Sequence, residues 1–252
     1  MGALLLGLGA ATSFATAAEP EPVYELRIYT CNEGRLPALL ARFRDHTCAL
    51  FEKHGMTNIG YWVPTHDEDG AQTKLIYLLR HASRDAAKAS FKAFGQDPEW
   101  QAAREASERD GKILAHAPES IFLTRTDFSP EVVLKQETPH RTFELRTYTT
   151  PEGKLEALHR RFRDHTCALF AKHGMTQVGY WDPMDAEDGA GSKLIYLLAH
   201  ASEEAAKASF AAFREDPDWI AAKTASEADG SLTVPKGVQS VFLRPTDFSP
   251  LQ

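Results

Sequence analysis

Cysteine is scarce. The three residues show no C-x-x-C or C-x-H spacing, which excludes a disulfide-stapled scaffold and a structural zinc module. Positive charge is also short: Lys+Arg 28 against Asp+Glu 35 leaves a net −7. A phosphate binder needs a concentrated positive field, so nucleic acid is not expected as a partner. Beyond residue 18 no apolar run is long enough to anchor the chain in a bilayer. No Gly-rich phosphate loop follows a strand, and G-x-S-x-G and H-E-x-x-H are missing. Nucleotide, serine-hydrolase and metalloprotease chemistry therefore have no support. What remains is an ordinary globular composition, 43% hydrophobic and 25% charged, in a 252-residue chain long enough for two domains.

Residues 3–18 (ALLLGLGAATSFATAA) carry no charge and are too short and too rich in small residues to span a membrane. Ala15, Thr16 and Ala17 supply a small-x-small cleavage pattern, and Glu19, Pro20, Glu21 and Pro22 open a polar mature end. Residues 1–18 thus read as a signal peptide, although no Lys or Arg precedes the apolar run. The expectation is an exported protein, periplasmic or secreted, with no stable membrane anchor after cleavage. No Cys follows the apolar run to take a lipid.

The rest of the chain is one unit written twice. YELRIYT at 24–30 returns as FELRTYT at 143–149, and RFRDHTCALF at 42–51 returns unchanged at 161–170. Aligning 24–111 with 143–230 without gaps gives 60 identities in 88 positions. TDFSP at 126–130 returns at 246–250. The organisation is therefore two domains, 22–130 and 142–250, joined by a linker over 131–141.

Each copy reads β-α-β-β-α-β. Residues 24–30 alternate and are rich in β formers. Residues 33–54 place Leu36, Leu39, Leu40, Phe43, Thr47, Leu50 and His54 on one helical face. Thr150 and Pro151 read as a cap and first-turn proline for the second copy of that helix. His54-Gly55 ends the helix, 57–63 and 74–80 are strands, Ser83 caps a helix, Asp97-Pro98 starts another, and 120–126 is the last strand. This order is the split βαβ, ferredoxin-like plan, whose bare sheet face must be buried. The expected fold is α+β: two ferredoxin-like units in tandem, sheets face to face and helices outside, forming an intrachain dimeric α/β barrel.

Y/F-E-L-R-x-Y-T, R-F-R-D-H-T-x-x-L-F-x-K-H-G-M, G-Y-W and D-P-x-W together resemble the NIPSNAP family, over nearly all of both copies. That family is similar to the wider dimeric α/β-barrel superfamily, which also holds antibiotic-biosynthesis monooxygenases and haem-degrading enzymes. The resemblance implies the fold and brings no agreed catalytic residues with it.

Glu25, Arg27 and Tyr29 share one strand face, as do Glu144, Arg146 and Tyr148. Both triplets are expected in the space between the sheets, with Tyr24, Leu26 and Ile28 toward the helices. There they would either form paired networks that fix the docking of the halves, or make Arg27 and Arg146 anion anchors with Glu25 and Glu144 as proton acceptors of burial-raised pKa. His46 and His165, on the flank of the apolar helix face, are candidate general bases or haem ligands, or simply satisfied core-edge residues. His54 and His173 read as helix ends, His81 and His200 as local strand-end residues. Trp62 and Tyr77, with Trp181 and Tyr196, are candidate walls of an apolar pocket. Cys48 and Cys167 fall off the apolar face.

No metal is expected: His46 and His54 are about 12 Å apart along the helix, and the acidic loop at His66, Asp67 and Asp69 lacks a closing ligand. The informative differences between the copies are Leu40 against His159, Val63 against Asp182 and Arg80 against Ala199. The leading reading is an exported protein that binds or transforms a small, largely apolar molecule in a sheet–helix cavity. Its chemistry would be monooxygenase- or isomerase-like without a cofactor, or haem handling. The rival is a non-catalytic interaction module, and self-association remains open.

Overall fold

The structure, a computed structural model, describes residues 21–136 and 140–252. The segment read as a signal peptide lies outside them. The first half runs β1 (Val23–Thr30), α1 (Leu36–Arg42), a wide π turn (Phe43–Thr47), α2 (Cys48–Lys53), β2 (Thr57–Pro64), β3 (Lys74–His81), α3 (Arg84–Gln96), α4 (Pro98–Ser107) and β4 (Glu119–Arg125). The second repeats it: β5 (Thr142–Thr149), α5 (Leu155–Arg161), a π turn (Phe162–Thr166), α6 (Cys167–Lys172), β6 (Thr176–Pro183), β7 (Lys193–His200), α7 (Glu203–Glu215), α8 (Pro217–Ser226) and β8 (Val238–Pro245). The Ser83 hydroxyl accepts from the Ala86 N–H at 3.1 Å, and the Asp97 carboxylate from the Glu99 N–H at 2.9 Å, as caps should. Thr150 caps nothing: α5 begins at Leu155, and the Thr150 hydroxyl donates to the Ser192 carbonyl instead.

The strands close into one antiparallel barrel, ordered β1-β3-β2-β8-β5-β7-β6-β4. The two half-sheets face each other as expected, and they also meet edge to edge. β2 pairs with β8, and β4 with β6. Among the described residues every strand thus has a neighbour on both sides, through three register pairs at each seam, which limits the edge open to another chain.

The two faces of β1 are the reverse of the expectation. Tyr24 and Leu26 pack inside the barrel with Trp62, Ile76, Leu78 and their counterparts Phe143, Trp181 and Leu197. Glu25, Arg27 and Tyr29 point to the helices. The physical reason is satisfaction. The interior is packed with aliphatic and aromatic side chains that offer a carboxylate no ionic partner, whereas the helix side brings His81 and Ser120 within hydrogen-bonding reach of Glu25. The middle of the interior is filled, too. The void among Leu26, Trp62, Leu145 and Trp181 is about 10 Å³, the size of one water.

The halves also exchange arms. After β4, Thr126 donates its N–H to the Tyr180 carbonyl, Tyr180 returns its N–H to the Ser129 hydroxyl, and Phe128 packs into the second sheet–helix layer. Thr246, Ser249 and Phe248 do the same to Tyr61 in the first. Arg44 grips Asp247, and Arg163 grips Asp127, each through two hydrogen bonds. Among the described residues no helix is long and apolar enough to cross a membrane.

Candidate functional site

A buried polar cluster sits under α3, on the helix side of β1. Glu25, 1% exposed, is reached by three donors: His81 Nε2 at 2.9 Å, the Ser120 hydroxyl at 2.6 Å and an Arg27 guanidinium nitrogen at 2.5 Å. Burial works to raise the Glu25 carboxyl, but the His81 hydrogen bond, the Arg27 charge and the Ser120 hydroxyl outweigh it and hold it below its ordinary value. Glu144 behaves alike, with His200, Arg146 and Ser240 as donors. This corrects the expectation of burial-raised proton acceptors. An ionised carboxylate saturated by donors orients its neighbours and has little capacity to take a proton.

The Arg27 guanidinium lies over the Phe91 ring at 4.7 Å and beside Tyr29 at 5.6 Å, and Tyr29 in turn meets Tyr77 edge-on. Burial drives the Tyr77 hydroxyl well above its ordinary pKa. The carboxylate can only accept, so His81 Nε2 carries the proton it shares with Glu25, which leaves Nδ1 facing away.

Here the copies part. In the second, Arg146 Nε donates to the Tyr196 hydroxyl at 2.9 Å, and another guanidinium nitrogen reaches Tyr148. In the first, Arg27 Nε, the Tyr77 hydroxyl and His81 Nδ1 are buried without a well-formed hydrogen bond. Each such group costs about 1–3 kcal/mol when left unmade.

The other expected site residues scatter. Trp62 and Trp181 point into the barrel, on the far face of the sheet from Tyr77 and Tyr196, because strand neighbours alternate. His46 and His165 are exposed on the π turns. The wide turn adds a residue and carries them off the apolar flank expected from a regular helix. The same shift brings Cys48 and Cys167 half into the core, where burial raises their thiols to about 12 and about 11. His54 and His173 do close their helices, bonded to Asp97 at 2.8 Å and Asp216 at 2.7 Å. His81 and His200, read as local, and the serines Ser120 and Ser240 are the members of the clusters that the sequence reading missed. The strand pairing Val23↔His81, two residues from Glu25↔Leu79 and so on the same face, could have signalled the histidines only once the register was known. Two of the divergent positions meet: His159 Nε2 lies 2.9 Å from Asp182, with the exchanged Phe128 ring against the imidazole.

The sequence profile of the NIPSNAP family matches residues 24–130 and again 143–250. Two solved structures share the fold. A protein of Lactobacillus acidophilus provisionally named a monooxygenase is 12% identical, with a TM-score of 0.55 over 89% of this chain and 93% of its own. A Fusobacterium nucleatum protein, provisionally named likewise, is 10% identical, with a TM-score of 0.57 over 89% and 92%. A NIPSNAP family protein of Agrobacterium tumefaciens, 25% identical, covers 44% of this chain and 98% of its own, with a TM-score of 0.38. No curated protein matches the sequence.

Proposed function

The chain belongs to the NIPSNAP family, and from that premise we propose that it binds a small, largely apolar molecule in the sheet–helix layer of its first half. The observation that carries this reading is the difference between the two clusters: Arg146 Nε bonds the Tyr196 hydroxyl, whereas Arg27 Nε and the Tyr77 hydroxyl, beside His81 Nδ1, stay buried without such a bond. Two donors and one acceptor suit a molecule with a hydroxyl or carbonyl on an aromatic or aliphatic body. Phe91 and Phe122 supply the apolar contact, both rings lying against His81. If the ligand is transformed, His81 is the group to move a proton. Its Nδ1 is free while Glu25 fixes the ring from the other side, as an acid–base imidazole requires. Oxygenation or isomerisation of an acidic C–H or O–H compound fits that equipment.

Titration with 1-naphthol, followed by protein fluorescence, tests the reading. Saturable one-to-one binding is expected, weakened at least tenfold by Arg27→Met or His81→Phe and unchanged by Arg146→Met. Absence of saturation, or equal loss in both halves, overturns it. Haem handling is the weaker alternative, since His46 and His165 stand on exposed helix surface and His81 is roofed by two rings. A Soret band in the purified protein would reverse that order. The interaction-module reading draws on the second cluster, where Arg146 is bonded to Glu144 and to Tyr196 and His200 Nε2 to Glu144. It requires Glu25→Leu with Arg27→Met to alter stability alone. Export belongs to the same proposal: the mature protein should begin near Glu19, and N-terminal sequencing that finds Met1 on exported material removes it.

A further inference from the structure

The two ends of the barrel differ. At the end where β1 and β5 start, Val132 of the linker and Leu251 of the tail pack against the interior, and the Gln252 N–H donates to the Lys135 carbonyl. At the other end the barrel opens into a chamber of about 280 Å³. Its floor is apolar, chiefly Ile28, Ile76, Ile121, Ile195 and Val241, and both halves contribute. Its rim is charged: Glu68, Asp69 and Asp188 against Lys74 and Lys193.

The rim is built rather than incidental. Equivalent short turns, Asp67–Asp69 and Ala186–Asp188, end in Gly70 and Gly189 at φ of 98° and 103°. A Cβ on either glycine would come within 2.9 or 2.7 Å of the Lys74 or Lys193 stem. Only glycine lets both lysines lie back along their own turns. The six acids of the two turns and their flanks are Asp67, Glu68, Asp69, Asp185, Glu187 and Asp188. Among the described residues Asp185 alone is ion-paired, to Arg84 at 2.7 Å. Burial and the neighbouring Asp185 and Glu187 push the Asp188 carboxyl up, the mark of crowded negative charge.

We propose that this mouth is a ligand site for a small organic ammonium carrying an apolar chain or ring. The rim's three carboxylates against two ammoniums leave one uncompensated negative charge, to be matched by one positive charge. Among the described residues no three His, Cys, Asp or Glu side chains stand close enough to hold a metal ion. The negative field is therefore spread across the opening, as suits a bulky ammonium head. The isoleucine floor takes the tail.

Calorimetric titration of the full mature chain with hexylammonium and with hexanoate tests this. Hexylammonium should bind one-to-one, at least tenfold tighter than hexanoate, and weaken with added salt. Asp69→Asn with Asp188→Asn should cost at least tenfold. Thr147→Trp, on the half-exposed rim, should block the chamber, with circular dichroism confirming the fold of each variant. Absent hexylammonium binding, equal or tighter hexanoate binding, or an Asp69→Asn/Asp188→Asn protein that binds as before overturns the proposal. The naphthol titration of the sheet–helix layer reads a different site, so either proposal can fail alone.

Discussion

Glu25 is the residue on which the first cluster turns, and its chemistry sets two expectations. Its carboxyl and that of Glu144 sit below their ordinary value in the fold. Asp97, bonded to Lys53 and His54, and Asp216, bonded to Lys172 and His173, are also held low. A carboxyl depressed by folding adds stability above its unfolded pKa and loses it as pH falls through the folded one. Thermal stability should therefore be level from neutral pH to about pH 5 and decline below it. A melting temperature that holds to about pH 2 would contradict this. The second expectation concerns charge left alone. Glu25→Leu strands the largely buried Arg27 and should cost about 3–5 kcal/mol, while adding Arg27→Met should restore much of that. Urea unfolding of the single and double variants measures both; equal loss in the two would contradict the pairing. At this scale the sequence showed which residues share a strand face. It could not show which layer that face meets, since a one-residue change of register reverses it.

Elements were legible where a local rule governs them. Ser83 and Asp97 act as the caps that their spacing before a helical pattern indicates. The π turns were not legible, because RFRDHTCALF reads equally well as regular helix. The extra residue is held by a Thr47 hydroxyl that donates to the Arg42 carbonyl, repeated by Thr166 and Arg161. Strand β2 carries a bulge between Asn58 and Gly60, and the Trp62 indole lies against Gly60. A Cβ there would sit 2.3 Å from the ring of a tryptophan only 1% exposed. Gly60→Ala should cost about 1–3 kcal/mol through overpacking, and unchanged stability in urea would refute the close approach. The exchanged arms give a parallel test. Ser249→Ala leaves the buried Tyr61 N–H without its acceptor and should cost about 1–3 kcal/mol, read as a lower denaturant midpoint. A midpoint equal to that of the unaltered protein would show that the arm contributes nothing there.

For the whole molecule, each half depends on the other. The halves share the barrel interior, two strand seams and both arms. A chain of residues 20–130 alone would bare an apolar sheet face and two unpaired edges, β2 and β4. It should dimerise or aggregate, and sedimentation showing a stable monomer of native-like melting temperature would refute the mutual shielding. The duplication, the order of elements and the pairing of halves were all present in the sequence. Repeats and hydrophobic periods are local regularities, and a one-faced sheet has few ways to be covered. Three matters were decided only by tertiary structure: that the charged face of β1 meets the helices, that His81 joins Glu25, and that one end of the barrel stays open. Each depends on which groups from distant segments meet, and burial selects the arrangement in which the polar ones find partners.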